Sequence, residues 1–452
     1  MYSKEQIFKV LETALGYTKG HKARVEVVSR SEGLSRIANS EIHQNVYEEN
    51  TSLSISIIEA HKASNITTNI LTNAGIAAAV EEAIANLELL PEGEAQPELV
   101  ATPIELETLR FNDQLDAAAG VLPRAKMVAD GLALIEAPYK AFGRFSYETL
   151  SRGIANSAGI TRFSKANQVS LSLIVSDTSG GTGLSLRIAH TPEEIDCSAV
   201  FAEALAKAKA NHNPIELQPG AYTVILEPQA VMDLTMQALL FGFSGTMVAN
   251  KVSPLADAMG VKVFSDKLTI VDDWCDPRVP GDAFDSQGTP KQKLTLMENG
   301  VVKSFANDQL SALKLATVSS GHALSAMGMS LAAPTNVVIM GGEQTLDQII
   351  AGSDRALLVS RFHYMNAVNM RQAQMTGITR DGFFLVEDGK ITHALHNMRF
   401  TESLLVALNN IVAISSDRIN FSEIFAALST PAMKIDGFHF TGKTTLGDAP
   451  GS

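Results

Sequence analysis

The chain has 452 residues, 45% hydrophobic and 19% charged, with a net charge of −13 and a pI near 5.3. That length allows two or three domains with cores of their own, and the composition is that of an ordinary globular protein. The acid excess and the lack of any Lys/Arg run argue against a nucleic-acid partner, since duplex binding rests on neutralising phosphates. No stretch approaches the roughly 20 apolar residues that span a bilayer, and Cys197 and Cys275 make no disulfide framework.

In chain order, residues 1–17 read as an amphipathic helix with Ser3 and Gln6 as a capping box. The helix mixes acids and bases and lacks the apolar core of a signal peptide, so a cytoplasmic protein without a membrane partner is expected. Short strands follow at residues 24–29, 42–47 and 53–58, close enough for an antiparallel sheet. A helix at 75–87, capped by Thr72 or Asn73, closes an α+β subdomain over residues 1–90.

Residues 91–217 form a Pro/Glu-rich linker and a second α+β subdomain. A helix is expected from Asp116 to about residue 137, kinked or broken at Pro123. Strands follow at 140–149, 159–163, 169–175 and 183–189, then a helix over 192–211 with Thr191 as cap and Pro192 in its first turn. Helix, strands, helix is also the order of the first subdomain, which hints at an internal duplication. The glycine-rich segment at Ser179 has no Walker lysine, and Gly442-Lys443-Thr444 has no preceding glycine loop, so neither reads as a nucleotide site.

Residues 218–452 read as a β-rich, barrel-like domain. A strand at 222–226 leads through Pro228 into an apolar helix at 229–241, and further strands are expected at 336–340 and 355–359. Helical pieces are expected near 345–350 and 399–410. Two hairpins share one layout: a strand, Glu, an Asn-Gly turn at Asn299-Gly300 or an Asp-Gly turn at Asp388-Gly389, and a returning strand. Between them, Asp272, Asp273, Asp276, Asp282 and Asp285 concentrate in one segment. Such a cluster reads first as a solvated acidic loop and second as a Ca²⁺ or Mg²⁺ site, although its spacing is not that of an EF-hand. Acids around Cys275 disfavour its thiolate. His393 and His396 lack a third ligand, and the other histidines, His322 among them, stand isolated in the sequence.

The second hairpin is bracketed by Arg380-Asp381-Gly382 and by Asn397-Met398-Arg399-Phe400, polar signatures that a strand does not need. Together with the Asp-Ser-x-Gly-Thr-Pro run at 285–290, they resemble the C-terminal region of the TldD/PmbA family, zinc metallopeptidases once labelled modulators of DNA gyrase. The resemblance is strongest over 219–411. TldD-type members carry an HExxxH motif, in which two imidazoles hold zinc and the Glu serves as general base. At the matching position this chain has Met236, Gln237 and Phe241, and no His occurs between His212 and His322. A Cys ligand used by TldD-type members nearer the C-terminus is also missing.

The resemblance therefore implies a PmbA- or TldE-type member: a non-catalytic subunit that binds no metal itself. It would pair with a TldD-type subunit, which holds the zinc and cleaves unfolded or modified peptides. Arg380, Asp381, Asn397 and Arg399 are candidates for lining or ordering a shared peptide cavity, or for fixing the hairpin ends. Two other readings stay open: a homodimeric peptide-binding protein without catalysis, and a hydrolase using the 272–285 carboxylates with a borrowed metal.

Overall fold

A computed structural model describes residues 1–102, 106–112, 120–178, 180–279, 281–326, 329–423 and 425–443. Asp116, Ser179, Thr444 and the linker residues 103–105 lie outside these. The expected capping box is present on α1 (Lys4–Tyr17): the Ser3 hydroxyl accepts the Gln6 N–H, and the Gln6 side chain accepts the Ser3 N–H. The helix lays Ile7, Leu11 and Ala14 on a meander of β1 (Lys22–Ala38), β2 (Glu41–Ile58) and β3 (Ala63–Thr68), and α2 (Asn73–Leu89), capped by Thr72, packs beside it.

These strands run far beyond the short apolar stretches expected. The inward period of β1 continues past Val27 through Ser29, Ser31 and Ser35, all buried. Their hydroxyls find partners across the sheet: Ser29 Oγ lies 2.9 Å from Thr51 Oγ1, and Ser35 donates to Asn45. Apolar alternation alone cannot show a strand whose inner face turns polar.

The second region contributes β4 (Leu106–Arg110), α3 (Val121–Leu132), β5 (Lys140–Asn156), β6 (Thr161–Ser176), β7 (Thr182–Ala189) and α4 (Cys197–Ala210). Pro123 sits in the first turn of α3, where its missing N–H has no intrahelical acceptor to lose, so α3 runs on through it; residues 113–119, where the expected helix began, lie outside the described residues. Pro192 opens only a three-residue 3₁₀ turn. Ile195 is extended, and α4 starts afresh with Asp196 accepting the Ala199 N–H. β1 and β5 pair antiparallel from Arg24–Asn156 to Ile37–Gly143, joining both regions in one seven-stranded sheet ordered β3-β2-β1-β5-β6-β4, with β7 also on β6. Helix, three strands, helix thus occurs twice, the two copies side by side.

The C-terminal region runs through β8 (Gly220–Leu226), α5 (Pro228–Gly242), α6 (Gly245–Ala249), β9 (Ile270–Asp272), β10 (Leu294–Glu298), β11 (Val301–Val302), α7 (Gln309–Lys314), β12 (Ala323–Ala326), β13 (Met329–Ala332) and β14 (Asn336–Ile339). It continues with α8 (Leu346–Ala351), β15 (Arg355–Asn369), β16 (Gln374–Glu387), β17 (Lys390–Ala394), β18 (Met398–Ser403), α9 (Leu404–Asn409), β19 (Ile411–Ser422) and β20 (Ala427–Lys443). Both expected hairpin turns have positive φ at their two central residues: 48° and 77° at Asn299-Gly300, 49° and 74° at Asp388-Gly389. That is the mirror-image turn that matches strand twist. The helix expected over 399–410 is a helix only from Leu404. The stretch before it alternates Met398, Phe400 and Glu402 inward and pairs with β16, so period two wins.

Within an eleven-stranded sheet, β20, β18, β16, β15 and β8 close into a ring, because β8 pairs with both β15 and β20. Phe362, Phe400, Phe438 and Phe440 fill it, with ring centroids 4.6–5.9 Å apart. No helix among the described residues is long and apolar enough to cross a membrane.

Candidate functional site

Helix α5 carries Met236, Gln237 and Phe241, the positions that the sequence resemblance matches to a zinc motif. Pro228 occupies its first turn, and Val231, Leu234 and Leu239 face the barrel core. Met236 packs against that core, and Phe241 against Leu240, Leu331 and Ala333. Gln237 is half-buried between them. A thioether, an amide and a phenyl ring offer neither the imidazole or thiolate ligands of a zinc site nor a carboxylate base. The residues present do not fit the metal. Among the described residues no His/Cys/Asp/Glu group has the geometry of a metal cluster.

The carboxylate on α5 is Asp233, one turn earlier, which the sequence reading passed over. It accepts hydrogen bonds from Gln229 Nε2 at 2.9 Å and from the Phe362 N–H at 2.8 Å. Burial pushes its carboxyl up to about 7, a rise that those bonds and the nearby Arg361 only partly offset. An acid inside the apolar run VMDLTM was the available signal.

Arg361 also links Asp233 to the hairpin signature. Val359 pairs with Phe383 and Arg361 with Arg380, so Asp381 and Gly382 together oppose Ser360 in a β-bulge. Asp381 has φ 54° and Gly382 φ 138°. A Cβ on Gly382 would fall 2.3 Å from Ser360 Oγ, so the bulge needs glycine there. The bulge turns Asp381 inward onto Arg361, with Arg380 Nε 3.9 Å away. Across β16, Thr379 Oγ1 donates to Asn397 Oδ1 at 3.1 Å and accepts the Met398 N–H at 3.0 Å. Arg399 reaches Thr376 Oγ1 at 3.5 Å. The four signature residues therefore share one end of the β16–β18 pairing. Asp381 is buried, and Arg380, Asn397 and Arg399 are half-exposed.

The acidic segment is not the solvated loop expected. Asp272 is fully buried and accepts from Thr335 N–H (2.6 Å), Asn336 N–H (3.0 Å) and His322 Nε2 (3.1 Å). Burial alone would raise its carboxyl, but His322, Lys291 and the Asn336 N–H outweigh it and hold it at about 2. Asp285 accepts three backbone N–H groups, those of Gln287, Thr289 and Ala323. Asp273 binds Lys293 and Asp276 binds Arg278. With these carboxylates already paired inside the chain, the segment does not offer a hard cation a set of open oxygens. Its remaining acid, Asp282, docks the N-terminal sheet: Arg152 of β5 joins it to Glu26, while Arg110 donates to Trp274 O at 2.6 Å. Polar density that looked like solvent exposure is a seam against the N-terminal sheet. His322, isolated in sequence, belongs to it.

Beside that seam lies a cavity of about 330 Å³, between β7 and α4 on one side and the start of α5, β15 and β19 on the other. None of the four signature residues lines it, although Ser360 opposite the bulge does.

Comparison with known proteins agrees with this architecture. Residues 219–442 match the family model for the PmbA/TldA metallopeptidase C-terminal domain. A "Metalloprotease TldD homolog" of Buchnera aphidicola is 28% identical over 218 residues, covering 48% of this chain and 45% of that one. An uncharacterized protein of Methanocaldococcus jannaschii is 28% identical over 208 residues, covering 44% and 49%. The chain spans about half the length of the curated relatives it matches. The fold extends further: TldE from Thermococcus kodakarensis superposes with a TM-score of 0.86 at 19% identity, over 96% of this chain and 100% of that one. A "putative modulator of DNA gyrase" from Bacteroides thetaiotaomicron gives 0.82 at 19%, over 98% and 100%. With the barrel, the bulged hairpin and the matched C-terminal domain in place, the chain belongs to the TldD/PmbA family.

Proposed function

We propose that this chain is the non-catalytic, TldE-type subunit of a cytoplasmic zinc protease whose TldD-type partner holds the metal and cleaves unfolded or modified peptides. The observation that carries the proposal is α5: Met236 and Phe241 pack against apolar clusters, with half-buried Gln237 beside them, where TldD-type proteins are expected to carry zinc ligands. A helix built this way keeps the fold and gives up the chemistry. Arg380 and Arg399, partly exposed, would face an extended peptide in a cavity shared with the partner, with Asp381 beside Arg380 and Asn397 held by Thr379. Main-chain pairing to a strand edge would supply affinity without sequence preference.

The test mixes the purified chain with a TldD-type subunit from the same cell and follows casein cleavage and size-exclusion mass. Activity and a 1:1 species in the mixture, with no activity from this chain alone, are expected. Cleavage by the isolated chain would overturn the proposal. A stable homodimer that ignores the TldD-type subunit and leaves peptides intact would replace it with a peptide-binding role.

A further inference from the structure

The cavity between the two halves is walled by Leu184 and Leu186 of β7 and by Ile419 and Phe421 of β19. Three cations line it, and two are consumed: Arg187 by Glu203, and Lys207 by Glu203 and Glu227. The third, Arg418, has no ion pair or hydrogen bond among the described residues, and its Nη1 is shut off from solvent. Asp276, whose charge acts on it, is already held by Arg278. Ser360 is 1% exposed, and its hydroxyl also lacks a partner among the described residues. Unsatisfied buried donors cost stability unless something else satisfies them. A guanidinium without an ion pair on the wall of an apolar-lined cavity marks a place for an anionic acceptor.

We propose that this cavity binds a small monocarboxylate on an apolar stem, with the Arg418 guanidinium donating to the carboxylate. The lining cations Arg187, Lys207 and Arg418 are matched in number by Glu203, Glu227 and Asp417, so the lining has no net positive charge and favours a singly over a doubly charged anion. Size points the same way, since 330 Å³ is at the small end of the ~300–1,000 Å³ range of ligand pockets. The C-terminus of a short peptide and a free branched carboxylic acid share this chemistry. The site stands apart from α5 positions 236–241 and does not depend on the zinc-protease reading.

The experiment is calorimetric titration of the full chain with Ala-Leu, with its C-terminal amide and with 4-methylpentanoate. At least one acid should bind, and the amide at least about tenfold more weakly, since a charge-assisted bond is lost. Binding of Ala-Leu alone identifies a peptide end, whereas equal binding of 4-methylpentanoate identifies the bare acid. Arg418→Met should abolish binding and Arg418→Lys should retain part of it, both melting near the unaltered chain. Equal affinity for acid and amide, no binding of either acid up to about 10 mM, or unchanged binding by Arg418→Met would each overturn the proposal. The acid-against-amide comparison uses the unaltered protein and holds whether or not the variants fold.

Discussion

Replacing His322 by Leu tests whether the acidic segment is a buried electrostatic seam. Both His322 and Asp272 are fully buried, and the ring Nε2 lies 3.1 Å from Asp272 Oδ1. Asp272 is held at about 2, below its ordinary value, which corresponds to about 2–3 kcal/mol of stability at neutral pH. Removing one partner of a buried pair typically costs about 3–5 kcal/mol. Here the Thr335 and Asn336 N–H groups remain to hold Asp272, so the expected loss is about 2–3 kcal/mol. The single tryptophan, Trp274, lies in the same segment with its ring N–H 3.2 Å from Lys291 O, so its fluorescence in a urea series reports this region directly. The sign of the pH dependence follows from the depressed folded-state value. The contribution is complete above pH ~4 and lost as pH falls toward 2, so the native chain weakens steeply over that window and the variant less so. A loss under about 1 kcal/mol at pH 7, or identical acid limbs, would refute the reasoning.

Asp233 titrates with the opposite sign. Its raised value of about 7 favours the protonated form in the fold, so stability declines as pH rises from about 4 to 7. Asp233→Asn should remove that decline and melt higher than the native chain at pH 8. For a partly exposed carboxylate the gain is about 1–2 kcal/mol, read by thermal melts at pH 5 and 8. Gly382→Ala should cost about 1–3 kcal/mol, measured by urea unfolding, because the new methyl meets Ser360 at a backbone conformation that favours glycine. In the native state at pH 8, a thiol reagent should label Cys275, which is exposed, and spare Cys197, whose thiol burial pushes up to about 11. Rapid labelling of both would show that α4 does not pack as described.

Local chemistry was readable where one residue type dictates one conformation. Asn299-Gly300 and Asp388-Gly389 gave the hairpins, Ser3 and Gln6 the first cap, and Pro228 the start of α5. The repeated helix–strands–helix order was also visible, as a weak echo. Strand length was not, because Ser29, Ser31 and Ser35 continue the inner face of β1 without being apolar. The helix expected at 399 failed because its alternation with β16 outweighed its helical tendency. The acidic loop misled for a related reason. Charge density signals solvent only until partners arrive from elsewhere, and Asp272 meets His322 across 50 residues while Asp282 meets Arg152 across 130. Likewise, Ser360 and Arg418 are ordinary strand residues until the fold sets them on one cavity.

The most direct test of the central reading is zinc stoichiometry, measured by elemental analysis on the isolated chain and on its purified complex with a TldD-type subunit. The α5 packing predicts no stoichiometric zinc in the isolated chain, and the proposed function predicts one zinc per heterodimer, lost when the partner's HExxxH histidines are replaced. One tightly held zinc per isolated chain would contradict it.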